Sequence, residues 1–170
     1  MIIRTFENRT LEANLEIKLT NYMRREFSGT GTQIVGESDP ADVLLTGQVV
    51  GILMPTVSFD QTTFESRIEL LLTVKLEEIR SKKVIWTQIV KGTSEFFITT
   101  DLQFNRVLQN RALEQAGLFA AGDLASRYSV YFESGQLDAA IARKPTSLKS
   151  DSSGTPALDQ RPPANEMRSP

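Results

Sequence analysis

The chain has 170 residues, with 19 Lys and Arg against 21 Asp and Glu, a net charge of −2 and a pI near 5.3. That length holds one domain of ordinary size with a tail, and the slight acidity argues against a dedicated nucleic-acid binder. There is no Cys and no His, which excludes Cys/His zinc sites, disulfides, Cys nucleophiles and His-based triads, so an enzyme is not expected.

In chain order, residues 2–6 read as a short strand that ends in Glu7-Asn8-Arg9-Thr10, polar residues able to cap a following helix through Asn8 or Thr10. Leu11, Leu15, Leu19, Tyr22, Met23 and Phe27 then recur at helical spacing, with Glu16, Lys18, Asn21, Arg24 and Arg25 opposite them and Gly29 and Gly31 as the stop. Gln33-Ile34-Val35 suits a short edge strand, and Ser38-Asp39-Pro40 a turn. Residues 43–54 read as a long strand. Val43, Leu45, Gly47, Val49, Gly51 and Leu53 share one face, and the two glycines predict a helix laid close across it.

The clearest alternation follows. Ile68, Leu70, Leu72, Val74 and Leu76 interleave with Arg67, Glu69, Leu71, Thr73, Lys75 and Glu77, the pattern of a half-buried strand. Arg80-Ser81-Lys82-Lys83 turns into a fourth strand from Val84 to Val90, weakly continued to Glu95, giving an antiparallel hairpin. A long helix is predicted from about Phe104 to Glu133, capped by Asp101 or Asn105 and stopped at Gly135. Its seam is Leu113, Gly117, Ala120, Leu124, Tyr128 and Tyr131, small enough in places to lie close on a sheet. This order predicts an α+β two-layer sandwich, with about four mixed or mostly antiparallel strands and two long helices on one face.

The domain is expected to span residues 1–135. Residues 143–170 hold five of the seven prolines and little apolar periodicity, so 136–170 is expected to be a disordered tail. The folded part has 14 basic and 17 acidic residues, a net charge of −3. Glu69, Glu77 and Glu78 read as solvated strand residues rather than an acid/base pair. Glu37, Asp39 and Asp42 surround Pro40 as a turn rather than a cation loop, and no metal site or cofactor is expected. Among cations, Arg80, Lys82 and Lys83 crowd a hairpin tip. Arg24 and Arg25 fall where the first helix is expected to end, which favours capping of the negative dipole end. Phe59, Phe64, Phe96 and Phe97 flank loops and would form a docking patch if exposed.

Several strings resemble the lipopolysaccharide-assembly lipoprotein family (LptE-like). These are Phe6-Glu7-Asn8-Arg9-Thr10, residues 15–20, Arg24-Arg25-Glu26-Phe27 and the strand entry Ala41-Asp42-Val43-Leu44-Leu45-Thr46-Gly47-Gln48-Val49. Looser matches are Val84-Ile85-Trp86 and Asp123-Leu124-Ala125-Ser126-Arg127, so the resemblance spans roughly 2–133 in the family's order. It implies a non-enzymatic plug domain inside a partner β-barrel (LptD-like), on the periplasmic side of the outer membrane, that assists lipopolysaccharide transport and insertion without a cofactor. If so, Arg80, Lys82, Lys83, Arg24 and Arg25 are the candidate lipopolysaccharide contacts, and the four phenylalanines the candidate docking residues. Related phrases occur in CsgG-like and TolB amino-terminal-like interaction modules, the alternative reading. Family members carry an export signal and a lipidated Cys before the first strand. Here Met1-Ile2-Ile3 is already strand-like, so a truncated front, from a start placed too late or an anchor region removed, is expected in preference to a relative that never reaches the outer membrane.

Overall fold

A computed structural model describes residues 1–59 and 64–135. The expected tail, 136–170, lies outside the described residues. The elements in chain order are β1 (Ile2–Ile3), β2 (Glu7–Asn8), α1 (Leu15–Gly29), β3 (Val43–Leu53), β4 (Thr56–Phe59), β5 (Phe64–Glu78), β6 (Lys83–Ile98) and α2 (Leu102–Glu133).

The sheet has four lanes. β3 pairs antiparallel with β5 from Val43↔Glu78 to Leu53↔Glu69, and β5 pairs antiparallel with β6 along its whole length. β1 and β2 run parallel to β3 on its other side. β4 pairs with the start of β5, Phe59 against Phe64, and so extends the lane of β3. Val35 adds a single parallel bridge to Ile2, in place of the expected edge strand.

The alternation in β5 places Ile68, Leu70, Leu72, Val74 and Leu76 on the covered face, all fully buried. They pack with Leu15, Leu19, Met23 and Phe27 of α1 and with Leu113, Ala116, Ala120, Leu124 and Tyr128 of α2 in one core. Both helices cover that face, as the spacing predicts, because a half-apolar sheet must hide one side from water. α2 approaches the sheet closely at Gly92. A Cβ there would overlap the Ala116 carbonyl and lie 3.0 Å from Ala120 Cβ.

Four local expectations are corrected. α1 starts at Leu15, and Leu11 is fully exposed in the preceding loop. Asn8 organises that loop: its Oδ1 accepts from the Thr10 amide and hydroxyl, and its Nδ2 donates to the Glu12 carbonyl (2.7 Å) and Glu16 Oε2 (2.9 Å). The cap position is Asn14, in the left-handed region at φ 62 with no side-chain cap bond, so neither Asn8 nor Thr10 is the cap.

The second correction is in β3. A bulge at Val50 shifts the register between Val49 and Gly51, placing Ile52 against the core and Gly51 opposite Leu71 on the open face. A Cβ at Gly51 would meet nothing within 4 Å, whereas one at Gly47 would strike the buried Phe6 ring, so neither glycine receives a helix. Third, β5 and β6 are longer than expected and β4 was not foreseen. Fourth, α1 runs on to Gly29 with no basic residue in its last turn, so Arg24 and Arg25 do not cap its end.

Candidate functional site

The strongest cluster of basic residues is the β5–β6 turn. Its shape comes from short-range polar bonds: the Ser81 hydroxyl donates to the Glu78 carboxylate and accepts from the Lys83 amide at 3.3 Å. Lys82 sits at φ 55, a left-handed position that a tight turn imposes on a side-chain-bearing residue. The Ile79 amide donates to the Asp42 carbonyl at 2.9 Å and ties the turn to the start of β3. Arg80 reaches Asp42 at 3.9 Å, with both side chains largely exposed. Lys82 and Lys83 are exposed and make no ion pair among the described residues. The tip therefore presents two free ammonium groups and one loosely held guanidinium, a set suited to a phosphate-bearing surface.

Arg24 and Arg25 do not join that cluster. Arg24 donates to the Ile3 carbonyl at 3.1 Å and helps seat α1 on β1. Arg25 pairs with Glu26 at 2.9 Å and lies over the Tyr22 ring.

The aromatic candidates divide. Phe96 is half-buried against the core, whereas Phe97 points to the open face at 57% exposure. Phe59 and Phe64 oppose one another in register between β4 and β5, and their side chains lie outside the described residues. β6 runs from the basic tip at Lys83 to Phe97, about 46 Å at strand rise, so the two candidate groups occupy opposite ends of the sheet.

The acidic residues of the 37–42 turn go to separate tasks. Asp39 accepts from the Gly36 amide at 2.9 Å, Glu37 lies 4.0 Å from Arg4, and Asp42 faces Arg80. On the open sheet face, Lys91 pairs with Glu69 at 2.8 Å and Arg67 bonds Glu95, which raises the Arg67 guanidinium's pKa. Between the helices, Lys18 bonds Glu114 at 2.7 Å and its pKa is likewise raised by that hydrogen bond. Both shifts make strong bases stronger, which serves ion pairing and supplies no proton donor or acceptor near neutral pH.

Two features went unread in the sequence. Gly92 was detectable as a lone glycine in a β-rich run facing a helix with alanines at 116 and 120. A groove of about 420 Å³ lies between β3, the β2–α1 loop and α2, lined by Leu11, Ile52, Met54, Ile68 and Leu113 with Arg9 at its edge. It lies beside the bulge at Val50, which no periodicity announces.

No helix among the described residues is long and apolar enough to cross a membrane. The fold recurs in solved structures. A Xanthomonas campestris protein superposes with a TM-score of 0.55 at 16% identity, covering 81% of this chain and 86% of that one. A candidate lipoprotein of Caulobacter crescentus gives 0.52 at 12% identity, covering 76% and 91%. A Chlamydia trachomatis protein gives 0.52 at 15%, covering 78% and 97%. No curated protein matches the chain in sequence. The lipopolysaccharide-assembly family LptE matches residues 1–128. That span runs from the first strand to Tyr128, through every strand and nearly all of the covering helices, and so the chain belongs to the LptE lipopolysaccharide-assembly family.

Proposed function

We propose that this domain is a non-enzymatic assembly component that binds a partner β-barrel at the outer membrane, on its periplasmic side, and assists delivery of lipopolysaccharide to the outer leaflet. Family membership already gives it a role in lipopolysaccharide assembly in the outer membrane. The finer reading rests on one observation above the others: an otherwise acidic domain carries Arg80, Lys82 and Lys83 together on an exposed hairpin tip. Phosphate groups of an anionic glycolipid need such cations, with Arg able to grip bidentately and Lys acting as a point charge. Phe97, exposed at the other end of β6, is the proposed barrel contact, with Phe96 next to it in sequence on the core face and Phe59 and Phe64 as further candidates at the same end of the sheet in the β4–β5 pairing. Arg24 and Arg25 are secondary lipid contacts in this reading, since each already has a partner.

The test is lipopolysaccharide binding by the wild type and by the variant Arg80→Ser/Lys82→Ser/Lys83→Ser across a salt series. The expected outcome is weaker binding by the variant, with the gap widest at low salt, because exposed charges are screened within about 10 Å at 0.1 M ionic strength. Equal affinities at every salt concentration would remove the tip from the lipid site.

A further inference from the structure

β6 is an outer lane of the sheet and pairs with β5 alone. A bulge at Ile85 interrupts that pairing near the hairpin, and over residues 86–98 the register is unbroken. Along this stretch the outer edge has no backbone hydrogen-bond partner among the described residues; Tyr131 reaches only the Ile85 carbonyl, at 3.2 Å. Long free edges are usually blunted by proline, by a charge pointing inward or by a bulge. Residues 86–98 hold no proline, and their covered side, Trp86, Gln88, Val90, Gly92, Ser94 and Phe96, holds no charge.

The open side of the same stretch is self-complementary. Thr87, Ile89, Lys91, Thr93, Glu95 and Phe97 alternate along it, all exposed, with Ile89 at 71%. A second copy of β6, laid antiparallel on the free edge about a two-fold axis through Thr93, meets it pair by pair. Lys91 stands opposite Glu95 of the second copy, Glu95 opposite its Lys91, Ile89 opposite its Phe97, and Thr93 opposite itself. On the covered side the same register sets Val90 against Phe96 and Gly92 against Ser94. An axis through Lys91 or Glu95 would instead set like charges face to face. Within one molecule Lys91 already pairs with Glu69 at 2.8 Å, and Glu95 with Arg67. Joining the edges lines up Arg67, Glu95, Lys91 and Glu69 across four strands, alternating in sign, once on each side of the axis.

We infer that β6 is a homodimerisation edge, two copies of this chain joining antiparallel through residues 88–98 about an axis at Thr93. New backbone hydrogen bonds supply the attraction, and the order of side chains fixes the register. This goes beyond the assembly role and rests on neither the basic tip nor a partner barrel. The pairing occupies the edge and leaves Phe97 on the open face.

The experiment is sedimentation of the full 170-residue chain over a concentration series. The wild type should reach a dimer. Lys91→Glu and Glu95→Lys, each alone, should self-associate about tenfold more weakly, since the two-fold repeats every repulsive pair. An equimolar mixture of the two variants should restore the dimer, because each then meets its complement. Loss of the ion pair to Glu69 or Arg67 within one chain cannot be repaired in that way. Register is read by oxidation. The chain has no Cys, so Thr93→Cys should cross-link to its own counterpart, where opposed Cα atoms lie about 4.5–5.5 Å apart. Ile89→Cys should not, because its counterpart lies about 27 Å away along the strands. Circular dichroism spectra matching the wild type would show that the variants are folded. A wild type that stays monomeric at every concentration, a mixture that associates no better than the single variants, or Ile89→Cys cross-linking as readily as Thr93→Cys would overturn the inference.

Discussion

Leu71 and Leu72 are neighbours in β5 with opposite fates, because successive strand side chains point to opposite faces. Leu72 is fully buried, and Leu71 lies half-buried on the open face beside Gly51 and Lys91. Leu72→Ala should cost about 2–5 kcal/mol in a denaturant titration, as for core leucines generally. Leu71→Ala should cost distinctly less, and equal losses would show that the face had been assigned wrongly. Glycine substitutions give a second contrast. Gly92→Ala pushes a methyl group into the Ala116 carbonyl, and α2 must lift to admit it. A loss of about 1–3 kcal/mol is expected, the usual scale of overpacking, read as a fall in melting temperature. Gly51 opens onto free space, so Gly51→Ala should fall well short of that.

The two helices begin differently. α2 is capped by Asp101, whose carboxylate accepts from the amides of Gln103 (2.9 Å) and Phe104 (3.1 Å). Asp101→Ala should remove about 0.5–2 kcal/mol, measurable by thermal unfolding, and should fray the first turn. α1 lacks a side-chain cap, and the Asn8 side chain holds the loop before it instead. This explains why the start of α2 was legible and that of α1 was not. Asp101 is a local signal at the boundary itself. Leu11, by contrast, has the right spacing for a helix but lies in a loop whose shape depends on Asn8 reaching Glu16 across eight residues. β5 was legible because ten residues of alternation leave one register, whereas the bulge at Val50 hides inside a sequence that alternates through it.

At the scale of the whole molecule, the sheet and both helices form one core, and the family match covers nearly all of it. The residues after Gly135 are rich in proline and poor in apolar residues, and we propose that they are dispensable for folding. Truncation after Gly135 should leave the melting temperature nearly unchanged. A drop of many degrees would mean that the removed segment packs on the domain.

The sequence by itself determined the α+β class, the covered face of β5, the seam of α2 and the family, since each is carried by short-range periodicity or by strings that stand intact in the chain. It also excluded Cys and His chemistry outright. Tertiary structure alone decided which candidate residues meet. It placed the basic tip and Phe97 about 46 Å apart along β6, turned Arg24 onto β1, and set Gly47 against Phe6 rather than a helix. Those outcomes depend on register, on one bulge and on contacts between residues far apart in the chain, and local propensity carries no record of them.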